Sequence, residues 1–209
     1  QRNQKALDRY WQSRKDKWII GRDYERYIGY IYEIDGFKVK YQGIMEGRED
    51  MGRDLICNDS DTLHVIQCKY WSKEKIIHEN HINQLYGTTI KFIFDNYEIK
   101  NKSDVFDLLA NEKVIPRMVT STILSDTAKR FADSLGIQYW EGAEMDFNYP
   151  CIKCNISKIN GEKIYHLPFD QQYDKVLIEP ETGELYCNTV LEAENSGFRR
   201  AWRWSPNAT

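Results

Sequence analysis

GRDLICNDSDTLHVIQCK, residues Gly52 to Lys69, carries the pattern of a β-hairpin. Two apolar runs, Leu55-Ile56-Cys57 and Leu63-His64-Val65-Ile66, flank Asn58, Asp59, Ser60 and Asp61, whose short polar side chains bond their own backbone and so favour a turn. Successive side chains on a strand point to opposite faces. Gln67 and Lys69 therefore share a face with Leu63 and Val65, while Ile66 and Cys68 point the other way. With Asp54 opening the first strand, a carboxylate, a carboxamide and an ammonium are expected to converge at one end of the hairpin.

Such a trio suits metal-assisted hydrolysis of a phosphodiester. A carboxylate and neighbouring oxygens hold a hard cation such as Mg²⁺, which keeps several of its waters, eases deprotonation of one and counters charge on the phosphate. A lysine beside it would orient the water or neutralise the crowded phosphate. The D…QxK pattern is short, and by itself it equally fits a turn cap at Asp54, a strand end at Gln67 and a solvated Lys69.

The flanking sequence adds weight to the first reading. Upstream lies GRDYERYIGYIYEIDGFKV (21–39) and downstream RMVTSTILSDTAKRFADSLGIQYWEG (117–142). With the hairpin they resemble the catalytic domain of Mrr-type restriction endonucleases, within the PD-(D/E)XK nuclease superfamily, over residues 18 to 145. In that family a helix bearing a Phe-Glu pair precedes a G-D-L strand and a Q-C-K strand. The matching residues here are Tyr24-Glu25, Arg53-Asp54-Leu55 and Gln67-Cys68-Lys69, with Tyr in place of Phe. The resemblance implies that Asp54 is the principal metal ligand and that Gln67 is a second, standing where Glu is more usual. It also implies a ligand role for the Cys68 backbone carbonyl, a catalytic role for Lys69, and a role for Glu25 in completing the site through water. Mg²⁺ or Mn²⁺ as cofactor, DNA as partner, a homodimer and a place in restriction or phage defence follow from the resemblance alone. A structure-specific repair or recombination nuclease of the junction-resolvase type, and a non-catalytic nucleic-acid-binding module, share this core and remain open.

Composition bounds the rest. The 209 residues suffice for one domain of ordinary size and a smaller one. Charged residues make up 29% and the mean hydropathy is -0.68, and no apolar run approaches the roughly 20 residues a membrane-crossing helix needs. No secretory signal is visible. The first residue is Gln1, so removal of an initiator, with or without a longer N-terminal region, is expected. A net charge of -3 gives no global pull on nucleic acid, so DNA affinity must come from local patches. Five cysteines, an odd number with Cys57 and Cys68 in predicted strands, point to a reducing, cytoplasmic setting rather than a disulfide framework.

In chain order, residues 1 to 17 form a basic helical extension with Leu7, Tyr10, Trp11 and Trp18 at near-helical spacing. Ile20, Tyr24, Tyr27, Ile28 and Ile31 mark one face of the next helix, with Glu25 on its border. Phe37 to Gln42 alternates as a strand, and 43–52 reads as a loop in which Arg48, with Arg53 just after it, is a candidate phosphate contact. Ile82, Leu85, Tyr86, Thr89 and Ile93 define another amphipathic helix, whose His81, Gln84 and Thr88 lie on a different face; the resemblance, in which this helix flanks the cleft, implies Gln84 as a candidate supporting residue toward nucleic acid, against an ordinary surface position. Residues 95–113 form a polar insertion with one short helix at 105–110. Val114 to Thr120 is a strand, Ser125 an N-cap, Gly136 a helix end and Ile137 to Trp140 a last strand. The expected class is α/β: a restriction-endonuclease-like central mixed sheet flanked by helices, spanning 18–145, plus a small α+β C-terminal domain.

That small domain, 151–204, follows a linker at 146–150. Asn155-Ile156-Ser157, Ile164 to Pro168, Tyr173-Asp174, Gly183-Glu184 and Glu192 to Ala201 resemble the sunset family of small bacterial domains. Cys154 stands where that family usually has glycine. Cys151, Cys154, His166 and Cys187 offer a Cys₃His set for structural Zn²⁺, although a second CxxC is absent; ordinary reduced thiols are the alternative. Arg199, Arg200 and Arg203, interleaved with Phe198, Trp202 and Trp204, suit contact with phosphates and unpaired bases, or equally closure of the domain's own core.

Overall fold

The computed structural model describes residues 1–13, 15–43 and 52–201 and divides the chain into two units, one of residues 16–145 and one of 1–15 with 146–209.

In the first unit, helix α2 (Lys17–Ile34) leads into strand β1 (Lys38–Tyr41), and the expected hairpin follows as β2 (Leu55–Asn58) and β3 (Leu63–Lys69). The turn works as its residues predict: the Asp59 carboxylate accepts from the backbone N–H groups of Asp61 and Thr62 at 2.7 and 2.8 Å. After β4 (Ile76–Ile77) come helices α3 (Glu79–Asn96) and α4 (Lys102–Ala110). The latter starts three residues before the predicted 105, where Asn101 and Asp104 form a capping box that a stripe of apolar residues does not reveal. Strands β5 (Val114–Thr120) and β6 (Ile123–Leu124), helix α5 (Asp126–Leu135) and strand β7 (Gln138–Trp140) complete the unit. Helix α5 is capped as its sequence predicts, with Ser125 accepting from Ala128 N–H and Gly136 left-handed at φ 67°.

The sheet order is β1-β2-β3-β5-β7, antiparallel across β1, β2 and β3 and parallel across β3, β5 and β7. Alternation along the strands splits the core in two. Leu55, Cys57, Ile66 and Cys68 pack with Tyr24, Ile28 and Tyr32 of α2, while Ile56 and Val65 pack with Ile82, Leu85, Phe92 and Ile93 of α3. The result is the mixed α/β sandwich expected, with helices on both faces and β2 and β3 at its centre.

In the second unit, β8 (Ile152–Ile156) lies at the centre of a four-stranded sheet of order β10-β8-β9-β11, with β9 at Lys163–His166, β10 at Leu185–Cys187 and β11 at Arg199–Arg200. A short helix α6 (Val190–Asn195) is capped by Thr189. The first helix of the chain, α1 (Arg2–Gln12), belongs to this unit. Asn3 Nδ2 donates to Tyr165 Oη at 2.8 Å, Gln4 Oε1 accepts from Val190 N–H at 2.8 Å, and the Tyr10 and Phe169 rings meet at 5.6 Å. Leu7 is buried. The segment read from sequence as an extension is thus part of the C-terminal unit's packing.

Candidate active site

Tyr24 sets the position of Glu25. The Tyr24 ring is fully buried, packs against Tyr70 at 4.9 Å, and its hydroxyl donates to the Ala143 carbonyl at 2.7 Å. Burial pushes the phenol far above its ordinary range, so it stays a donor. With this residue anchored, Glu25 falls at the rim of the buried stripe of α2, half-buried.

Asp54 is fixed from the hairpin. Its backbone N–H donates to Ile66 O at 2.9 Å, and its Oδ2 accepts from the Cys68 N–H at 2.6 Å. A charge-assisted bond of this length holds the carboxylate in one orientation. The other carboxylate oxygen faces Gly43. A Cβ on Gly43 would stand 3.1 Å from Asp54 Oδ1 and 3.3 Å from Glu25 Oε2, so the missing side chain is what lets the two carboxylates approach one space. The Cys68 thiol reports the same convergence: burial pushes its pKa up, and Asp54 and Glu25 push in the same direction while Lys69 opposes them. Cys68 is consequently a neutral packing residue.

Gln67 lies on the central strand with 0% of its surface exposed, yet neither Nε2 nor Oε1 has a hydrogen-bond partner among the described residues. An orphaned buried carboxamide costs about 1–3 kcal/mol unless something binds it. A divalent cation fits this place. Two carboxylates and an amide oxygen are hard donors, and Mg²⁺ asks for only one or two carboxylates because it retains waters. Among the described residues no group of three or more His, Cys, Asp or Glu could hold a metal ion.

Lys69, half-buried at the end of β3, opens onto a cleft of about 720 Å³ lined by Lys17, Gly21, Trp71, Ser72, Lys73, Lys75, Ser121 and Glu144. One of its lysines is neutralised, since Lys73 Nζ pairs with Glu144 at 2.6 Å. His81 is a further neighbour, carried on α3. Its ring meets Trp71 edge-on at 5.1 Å, and burial, then Lys69 and His78, lower its pKa. Only its place on the face shared with Gln84 hinted at this. Gln84 itself reaches across: its Nε2 is 2.7 Å from where a Gly52 Cβ would be, and Gln67 Nε2 is 2.9 Å from the same point.

Other candidates are placed elsewhere. Arg53 is 5% exposed and stacks over Phe92 at 5.6 Å, with Nε and Nη1 unbonded, so it is not offered to solvent as a surface phosphate contact would be. Arg199 pairs with Glu162, and both oxygens of Asp170 hold Arg200, so the two arginines close the C-terminal unit rather than stand free for phosphate. Arg48 and Arg203 lie outside the described residues.

The zinc set is a correction. Cys154 and Cys187 do meet, with sulfurs 3.6 Å apart. His166 is paired with Lys153 across β8 and β9, and alternation puts it on the opposite face of the sheet from Cys154. There it bonds Asn155 at 3.1 Å. Four ligands split between two faces cannot surround one ion.

Comparison with known proteins bears on the first unit. Residues 18–96 match the family model described as restriction endonuclease, that of the Mrr catalytic domain. That stretch is thus similar to a restriction-endonuclease catalytic domain, in agreement with the resemblance carried by Tyr24-Glu25, Arg53-Asp54-Leu55 and Gln67-Cys68-Lys69. No curated protein matches significantly. Similar solved structures include the crystal structure of a protein of unknown function, AF1548, at 16% identity and TM-score 0.42, covering 58% of each chain. EndoMS in its apo form is also similar, at 16% identity and TM-score 0.30, covering 44% of this chain and 32% of that one. An EndoMS–dsDNA complex gives 15% identity and TM-score 0.37, covering 58% and 43%. This chain therefore spans less than two thirds of each of these neighbours.

Proposed function

We propose that the chain is a metal-dependent DNA endonuclease of restriction or phage defence, acting in the cytoplasm. The observation that carries this reading is the convergence of the Asp54 and Glu25 carboxylates on the space beside Gly43, in a hairpin whose second strand carries the buried Gln67 amide and, two residues on, Lys69 at the cleft. Asp54, Gln67 Oε1 and Glu25, the last directly or through water, would hold Mg²⁺ or Mn²⁺, with the Cys68 carbonyl as a further oxygen. The cation would supply Lewis-acid charge and make a water more acidic. Lys69 then places an ammonium where negative charge accumulates on the phosphate. Lys17 and Lys75 continue positive charge along the cleft, which supports a polyanionic substrate despite the net charge of -3. The restriction role rests on the family match.

The test compares methylated plasmid, unmethylated plasmid and a four-way junction, each incubated with the protein and Mg²⁺. Cleavage of linear-duplex sites that depends on methylation state is the expected result. Cutting confined to the junction would replace restriction by recombination or repair, and binding without cutting of any substrate would leave a nucleic-acid-binding module.

A further inference from the structure

A glutamine in a glutamate's place raises a problem of orientation. A carboxylate offers a cation either of two equal oxygens; a carboxamide offers one oxygen, and a half-turn about its last torsion presents an NH₂ group that repels the ion. That torsion is soft. Gln67 therefore needs a neighbour that fixes its amide, and none of its own strand partners supplies one, since both Nε2 and Oε1 are unbonded and buried.

A second carboxamide, that of Gln84 on α3, comes up against Gly52 as Gln67 does. The two amides meet over Gly52. A Cβ there would stand 2.7 Å from Gln84 Nε2, 3.1 Å from Gln84 Cδ and 2.9 Å from Gln67 Nε2, and Gly52 itself has a φ of 79°, open to glycine and strained for other residues. Gln67 thus turns its nitrogen toward Gly52 and Gln84. A half-turn about the last torsion of Gln84 would exchange its nitrogen for its oxygen on that side of Gly52.

We propose that Gln84 is a positioning residue whose carboxamide oxygen accepts from Gln67 Nε2 and so holds Gln67 Oε1 toward the cation site. Gly52 is the glycine that admits this pairing. The proposal rests on the metal-dependent reading above and assigns the partner through which a Q-x-K strand end works as a ligand. Its consequence is specific to glutamine: with glutamate at 67, Gln84 has nothing to orient.

The experiment measures Mn²⁺ binding to the DNA-free protein by isothermal titration calorimetry, in wild type, Asp54→Ala, Gln84→Leu, Gln67→Glu and the Gln67→Glu/Gln84→Leu double variant, with circular dichroism to confirm folding. Gln84→Leu is expected to weaken Mn²⁺ binding by about tenfold, the loss of one oriented hydrogen bond, and to have no effect in the Gln67→Glu background. Equal binding by wild type and Gln84→Leu, in a protein whose uptake Asp54→Ala abolishes, would overturn the proposal alone. So would an equal loss in both backgrounds, which marks a merely structural effect. Absence of Mn²⁺ uptake by the wild type would remove the metal reading and this proposal together.

Discussion

Asp54 illustrates what one residue's setting does: a backbone N–H from the facing strand fixes one oxygen and leaves the other toward Gly43. His64, on the same hairpin, shows a cost of such burial. It sits between the rings of Tyr32 and Phe37, and burial, with the Arg117 cation second and Asp59 opposing, lowers its pKa to about 4. The unfolded chain takes up a proton near its ordinary value of about 6.5, whereas the folded protein does not until pH 4. Stability is therefore complete above pH 6.5 and declines as pH falls toward 4, by up to about 1.4 kcal/mol per pH unit. His166 in the other unit adds the same sign. Urea denaturation of the wild type and His64→Gln between pH 7 and 4.5 checks this; the variant should lose less stability on acidification, and parallel pH profiles would exclude His64 as a source. At this scale the sequence identified Asp54, Gln67, Lys69 and Glu25 because each sits in a local pattern. It could not show that Gln84 and Gln67 both come up against Gly52, or that Arg53 turns inward onto Phe92, since both depend on how α3 lies against the hairpin.

At the scale of elements, Gly29 ties α2 to the sheet. Glycine inside a helix costs about 1 kcal/mol relative to alanine. It is accommodated here because the fully buried Tyr41 ring lies against the helix backbone: a Cβ on Gly29 would stand 2.3 Å from Tyr41 Oη and 2.5 Å from Cε1. Tyr41 also donates to Glu33 on the next turn of the helix at 3.3 Å. Gly29→Ala should destabilise the protein by roughly 1–3 kcal/mol despite its better helix propensity. A lower midpoint in urea would show it, and an unchanged or higher midpoint would mean that Tyr41 yields freely. The hairpin, α3 and α5 were readable as elements because turn residues, periodicity and caps are local signals. The Cys₃His set failed at this scale. Cysteine spacing carries no information on strand register, and register puts His166 on the far face.

For the molecule as a whole, the pairing of α1 with the C-terminal unit joins residues 186 positions apart, as Gln4 and Val190 show. Basic character and helical spacing described α1 correctly but could not say what it packs on. Deleting residues 1–13 should remove the Asn3–Tyr165 and Gln4–Val190 bonds and expose the surface under Leu7, lowering the melting temperature of the C-terminal unit while leaving the 16–145 unit's transition in place. Hydrogen exchange resolved by unit reads this directly. Unchanged protection in 146–201 would show that α1 contributes nothing to that unit's stability.

The claim at the centre of this account is that Asp54 and Lys69 form one hydrolytic site with a divalent cation. Its most direct test is cleavage of supercoiled plasmid by the wild type, Asp54→Ala and Lys69→Ala, with Mg²⁺, with Mn²⁺ and with excess chelator. The expected result is cutting by the wild type that chelation stops, with each substitution lowering the rate by at least about 10². Cleavage that persists in chelator, or in Asp54→Ala at the wild-type rate, would contradict it.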